Sequence, residues 1–217
     1  MAINLGANPL ILILFITLEI LLIIIPNLIA SFVEKKSFKE ELVDMGFSLL
    51  NYNNKRIFSL ISQGILMGFV FYFIGGWIFI FFVDVVIKNV MGIVFVENAI
   101  INAINVEPMN PQLIEIIIII VLQVLIVGPC EEGFFRGFIL KKIKNKSNYI
   151  LALIISSLCF TIYHIPPILV PLSTIITFFG YYFTFGLLFG GLYRINKESL
   201  LPSMVAHSLF NILVLIF

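Results

Sequence analysis

The sequence predicts an all-α protein, a polytopic transmembrane helical bundle of about six to eight spans. Three observations predict it. Hydrophobic residues make up 61% of the 217-residue chain and charged ones 12%. A soluble domain carries roughly 25% charged residues, so this composition cannot coat a water-facing surface. The apolar residues fall into runs of roughly 16 to 30, the length that crosses a bilayer as a helix. Lysine and arginine gather in alternate connecting stretches, the asymmetry that orients helices in a membrane.

The first run spans about Asn8 to Val33. It is too long for a signal-peptide core and lacks a basic leader region. Glu34, Lys35, Lys36 and Lys39 follow it, which puts its start outside and its end in the cytoplasm. Glu19 stands in its middle. Either that carboxyl bonds to a neighbouring helix or it lines a substrate path; its isolation in the sequence favours the first. Ser31 to Arg56 is the longest polar stretch, expected as a cytoplasmic amphipathic loop with a turn-like tract at Asn51 to Asn54. The second span runs from Ile57 to about Val86. It contains Gly64-x-x-x-Gly68, a spacing that lets helices approach closely. Lys88 to Asn110 carries one lysine and is expected outside. Residues 1–110 thus form N-terminal spans with a cytoplasmic loop, and residues 111–217 the C-terminal core of one integrated membrane domain.

The third run starts at Leu113 and is interrupted by Glu115 and Gln123. Gly128-Pro129 then predicts either a kink or a fresh helix near Cys130. The run ends at Lys141, Lys142, Lys144 and Lys146, again cytoplasmic. The fourth span covers Tyr149 to His164 and is stopped by Pro166-Pro167. The fifth covers about Ile168 to Tyr193, with Gly186-x-x-x-Gly190, and ends at Arg194 and Lys197. The last runs from Leu200 to Phe217. A net charge of +1 gives no case for nucleic acid. Cys130 and Cys159, the two cysteines, lie in apolar segments and exclude a disulfide framework. Cysteine and histidine form neither a C-x-x-C nor an H-E-x-x-H pattern.

Glu131, Glu132 and Arg136 stand within six residues of an otherwise apolar segment. An ionisable side chain in hydrocarbon costs at least about 2.5–3.5 kcal/mol and marks function by default. On a helix Glu132 and Arg136 are four apart and pair on one face. Glu131, rotated by about 100°, is left free. The two histidines lie in other spans, His164 in the fourth and His207 in the sixth, with Asn211 one turn further on. At 1.5 Å per residue, Glu131 lies roughly 15 Å from the cytoplasmic end of its span, His164 about 22 Å, and His207 and Asn211 about 10–17 Å. All fall inside a hydrocarbon core of about 30 Å. A free carboxylate, two imidazoles and an amide at similar depth suit water-driven cleavage of a carbonyl. Glu131 and His164 would deprotonate a water, His207 and Asn211 would donate to the developing oxyanion, and Glu132 and Arg136 would support the carboxylate helix. The same Glu131, His164 and His207 form a two-His, one-carboxylate set of the kind catalytic zinc uses, and spacing does not separate the two chemistries.

Glu131-Glu132-x-x-x-Arg136-Gly137, then Phe160-x-x-x-His164, then His207-x-x-x-Asn211 resemble the ordered motifs of the CPBP intramembrane proteases. That family includes the CAAX prenyl endopeptidases and the Abi proteins of bacteriocin processing and self-immunity. The resemblance covers about Gly128 to Asn211. It implies a helical bundle with a conical cavity open to cytoplasm and membrane. It also implies Glu131 as catalytic glutamate, His164 as its partner on the water, His207 and Asn211 as the oxyanion pair, and Glu132 and Arg136 as supports. A metal-free glutamate mechanism is the preferred reading, with zinc as the alternative. The implied partners are a peptide or lipidated-peptide substrate and the bilayer, in a multi-pass protein of a prokaryotic plasma membrane. Two other functions fit the same sequence: a non-enzymatic immunity or scaffold protein, and a proton-coupled carrier using Glu19 and Glu131. The absence of inverted repeats weighs against the carrier.

Overall fold

The computed structural model describes residues 3–48 and 52–217, so Asn51 of the expected Asn51–Asn54 turn lies outside the described residues. Eight helices run through the described residues: α1 Pro9–Glu34, α2 Phe38–Met45, α3 Asn54–Met91, α4 Ile93–Ile101, α5 Leu113–Lys144, α6 Tyr149–His164, α7 Leu172–Ile195 and α8 Leu201–Ile216. Among them the only strand-like pairing is an isolated bridge between Asn4 and Asn105. Helices α1, α3, α5 and α7, of 26, 38, 32 and 24 residues, are long and apolar enough to cross a membrane. Helices α6 and α8 are apolar but shorter, at 16 residues each. The six apolar runs of the sequence are therefore six helices of unequal length.

Local chemistry sets the helix ends. The side chains of Asn8, Asn53 and Asn148 accept from backbone N–H groups in the first turns of α1, α3 and α6, the ordinary work of an N-cap. Pro166, Pro167 and Pro171 occupy the connection before α7, which starts at Leu172 rather than Ile168. In α5, Pro129 has no N–H to give the carbonyl of Leu125. The chain absorbs this with π-helical turns over Gln123–Val127 and Gly133–Leu140 on either side of Gly128–Glu132. The helix stays continuous, and the widened turns re-aim its side chains where its charges stand.

The expected loop Ser31–Arg56 and the connection Lys88–Asn110 both contain helices. Ser31 to Arg56 contains the end of α1 and all of α2. Glu41 on α2 is fully buried and pairs with Lys142 of α5 at 2.9 Å. Lys141 donates to the carbonyl of Asp44. Partners in distant sequence thus dock this helix. Between Lys88 and Asn110, α4 buries Val96 and Ala99, and Thr174 of α7 donates to the Ala99 carbonyl at 2.9 Å. Ser37 and Glu40 close a capping box at the start of α2. The Ser37 backbone and hydroxyl donors hold the Glu40 carboxyl below its usual range. A lowered folded-state value stabilises above the ordinary glutamate pKa of about 4.3, and the gain is lost as pH falls through the lowered value. Amide protection factors in the first turn of α2, corrected for the intrinsic pH dependence of exchange, are expected to fall on acidification below about pH 4, and to stay level in Glu40→Gln.

The core lies where α3, α5, α6, α7 and α8 meet. Phe71, Phe135, Phe160, Phe185, Phe189, Leu192 and Ala206 pack together there. Outward-facing apolar side chains are abundant: Phe32 is 87% exposed, Trp77 74% and Ile150 70%. Only a lipid environment suits such a surface, and the chain is an integral membrane protein. Of its thirteen lysines and arginines, all but Lys88 and Arg136 lie at the end where α1, α5 and α7 finish and α3, α6 and α8 begin.

Glycine decides how α3 meets α8. A Cβ at Gly64 would stand 2.6 Å from Cβ of Val205 and 2.8 Å from the Pro202 carbonyl, and one at Gly68 2.9 Å from Cβ of Leu209. Gly64-x-x-x-Gly68 is therefore the crossing point of these helices. Gly64→Val is expected to lower the thermal midpoint in detergent, since overpacking costs typically about 1–3 kcal/mol.

Candidate active site

Glu131, in the non-π turn of α5, is 3% exposed. Its Oε2 has no hydrogen-bond partner. That atom lies 3.6 Å from Nε2 of His164 and 3.9 Å from Nε2 of His207. Both separations exceed a direct hydrogen bond and match groups that meet through a shared small molecule. Helices α5, α6 and α8 each supply one of these side chains, as the depth estimate from the sequence requires.

Each imidazole is fixed by its other nitrogen. His164 ends α6, where its Nδ1 lies 2.9 Å from the Phe160 carbonyl. A carbonyl only accepts, so Nδ1 carries the proton and Nε2 presents a lone pair in the neutral ring. Phe160 and Tyr182 hold the ring, with centroids 4.2 and 4.8 Å away. The Nδ1 of His207 lies 2.9 Å from Oε1 of Glu132. Phe189 stacks on that ring at 4.6 Å.

Glu132 and Arg136 form the expected i, i+4 pair at 3.0 Å, with both side chains at most 1% exposed. Glu132 therefore serves two partners through one oxygen. It neutralises Arg136 and orients His207 on another helix. The Arg136 Nη2 donates to the carbonyl of Gly186 at 3.0 Å, and the guanidinium lies 4.8 Å over Phe160 and 5.3 Å over Phe189. A buried arginine thus has a counter-ion, an acceptor and two aromatic faces, which together offset its desolvation.

Asn211 takes a position the sequence did not reveal. Its amide donates to Oε1 of Gln123 at 2.9 Å, and Ser208 donates to the Gln123 carbonyl at 2.8 Å. Gln123, read from the sequence only as an interruption of an apolar run, ties α5 to α8. The tie depends on Gly128, where a Cβ would lie 2.1 Å from the Ser208 hydroxyl. No local signal identifies this pair, because 88 residues separate its members. Tyr182 and Phe189 were likewise hidden among a long series of aromatic residues.

Among the described residues, no group of three or more His, Cys, Asp or Glu side chains is arranged to hold a metal ion. Glu131 faces both imidazoles, yet the Glu131, His164 and His207 set does not close into a ligand cage for zinc. The Oε2 of Glu19 is shielded from solvent without a partner.

An α-helical membrane bundle with a carboxylate and two imidazoles gathered inside its apolar core defines a class of intramembrane proteins built around a polar centre. Residues 113–213 match the family model described as type II CAAX prenyl endopeptidase Rce1-like. That match takes in Glu131, Glu132, Arg136, His164, His207 and Asn211, and residues 113–213 are thus similar to the CPBP/CAAX family of intramembrane proteases. No curated protein and no solved structure matches the chain.

Proposed function

We propose that the chain is a glutamate-dependent intramembrane endopeptidase in which Glu131 and His164 activate water. The observation that carries this reading is the partnerless, buried Oε2 of Glu131 facing two Nε2 atoms from two other helices. A water between Glu131 and His164 donates one hydrogen to each. As its oxygen attacks the scissile carbonyl carbon, Glu131 takes the proton, and the carbonyl π electrons move onto oxygen. His207 and Asn211 stabilise that oxyanion. Asn211 has one N–H engaged by Gln123 and a second free to donate. His207 turns its Nε2 towards the same pocket, its ring oriented by the Glu132 carboxylate on Nδ1. Glu131 then returns its proton to the leaving nitrogen, the C–N bond breaks, and a carboxylic acid and an amine are released. Each preorganised oxyanion donor is worth about 2.7–4 kcal/mol.

The substrate is a membrane-associated peptide, either a lipidated CAAX-type peptide or a leader or bacteriocin peptide. The basic end of the bundle faces the cytoplasm of a prokaryotic plasma membrane, following the positive-inside rule.

Mass spectrometry of membrane peptides from cells carrying the wild type or Glu131→Ala tests the reading. Cleavage products present only with the wild type are expected, and they should persist after chelation of divalent metal. Stoichiometric zinc in the pure protein, lost together with activity, would overturn the metal-free step. Full biological activity of Glu131→Ala would instead favour the immunity or scaffold role.

A further inference from the structure

A cavity of about 360 Å³ opens between α1 and α6, walled by Phe15, Leu18, Leu22, Ile25, Pro26 and Tyr163. One acidic side chain lines it, that of Glu19. Glu19 stands where α1 breaks. The N–H groups of Glu19 and Ile20 bond three residues back, to Ile16 and Thr17, instead of four. Thr17 Oγ1 donates to the Ile13 carbonyl, a back-bond that bends helices. Pro26 cannot donate to the Leu22 carbonyl. The sequence thus builds a break in a membrane helix and puts a carboxylate on it. The cavity also borders the candidate site. Tyr163 forms part of its wall, and the Tyr163 and His164 rings are 5.3 Å apart. On the outer side Phe15, Leu18 and Ile25 are each nearly half exposed, so the opening faces lipid.

An apolar cavity with one shielded, partnerless carboxylate oxygen has the wrong chemistry for a purely apolar occupant. Uncompensated, a carboxylate there is costly. A long side chain with an apolar stem and a cationic head satisfies both walls and carboxylate. We propose that Glu19 is a specificity-determining residue that receives the ammonium or guanidinium of a substrate lysine or arginine. The stem of that side chain lies along Leu18, Leu22 and Tyr163. The inference rests on the reading of Glu131 as the hydrolytic group. It names the side chain that docks beside the bond attacked by the water that Glu131 activates.

The test uses the full chain in nanodiscs. A set of apolar spanning peptides of one sequence carries either lysine or norleucine at each position in turn. Cleavage is read by mass spectrometry. At one position the wild type is expected to prefer lysine by about tenfold or more, the size of one charge-assisted hydrogen bond. Glu19→Gln loses that preference by slowing the lysine peptide, and it cuts the norleucine peptide within about twofold of wild type. Glu19→Leu, matched to the apolar wall, is expected to behave alike and serves if the glutamine variant does not fold. A second arm needs no turnover. The rise in thermal midpoint caused by n-octylammonium is compared with that caused by n-octanol. It should be larger in the wild type and equal in the Glu19 variants. A lysine preference or an ammonium advantage that survives loss of the Glu19 carboxylate overturns the proposal, as does a wild type that cuts the peptides without preferring lysine or that shows no ammonium advantage. If the wild type cuts no peptide, the hydrolase reading fails on its own, and the octylammonium arm alone decides the Glu19 site.

Discussion

Glu131→Gln and His164→Ala are each expected to reduce turnover by about 10²–10⁴-fold, the usual worth of a positioned general base. The double substitution should be no slower than the worse single one, because both groups act on the same water. The structural grounds are the 3.6 Å gap from Glu131 to His164 and the anchoring of His164 by the Phe160 carbonyl. Neither side chain holds the fold together. Glu131 has no partner on its inner oxygen, and His164 ends its helix with a side chain 22% exposed. Thermal midpoints should therefore stay within a few degrees of wild type. Single-turnover kinetics on a peptide identified by mass spectrometry would check this. Strictly multiplicative losses would mean that the two residues serve separate steps.

Arg136→Met should be the most destabilising single substitution in the core. It leaves the Glu132 carboxyl buried without its counter-ion beside an imidazole, and breaking a buried pair from one side costs about 3–5 kcal/mol. It also removes the donor to the Gly186 carbonyl and the cation lying over Phe160 and Phe189. The double variant Glu132→Gln with Arg136→Met should recover much of that loss. It removes the orphan charge, and an amide can still hold His207. Unfolding in detergent, followed by tryptophan fluorescence from Trp77, measures the difference. A double variant as unstable as Arg136→Met would show that the guanidinium matters for packing rather than for charge balance.

The parts of the site that a helical period can encode were legible. Glu132 and Arg136 pair because four residues return a side chain to the same face. Glu131 points elsewhere because one residue does not. The helix end at His164 was legible from the prolines that follow. What the sequence could not express was rotation of one helix about its axis relative to another. The bonds from Glu132 to His207 and from Gln123 to Asn211 each span α5 and α8. They depend on the π-helical turns and on the close approach at Gly128. The Ser31–Arg56 stretch misled for a related reason. Its charges look solvated in sequence, yet Glu41 and Lys142 find each other across 101 residues and draw α2 against the bundle. Glu19 was weighed as a bonded carboxyl, whereas its Oε2 is partnerless and the residue lines a cavity.

At 16 residues each, α6 and α8 reach only about 24 Å, some 6 Å short of a typical hydrocarbon slab. Both carry histidine. Lipid around them must dip, or water must follow the helix ends inward, to cover the shortfall. A reaction that consumes water inside a membrane needs such a dimple, and the thickness of the surrounding bilayer then acts as a control on how readily the reactant arrives.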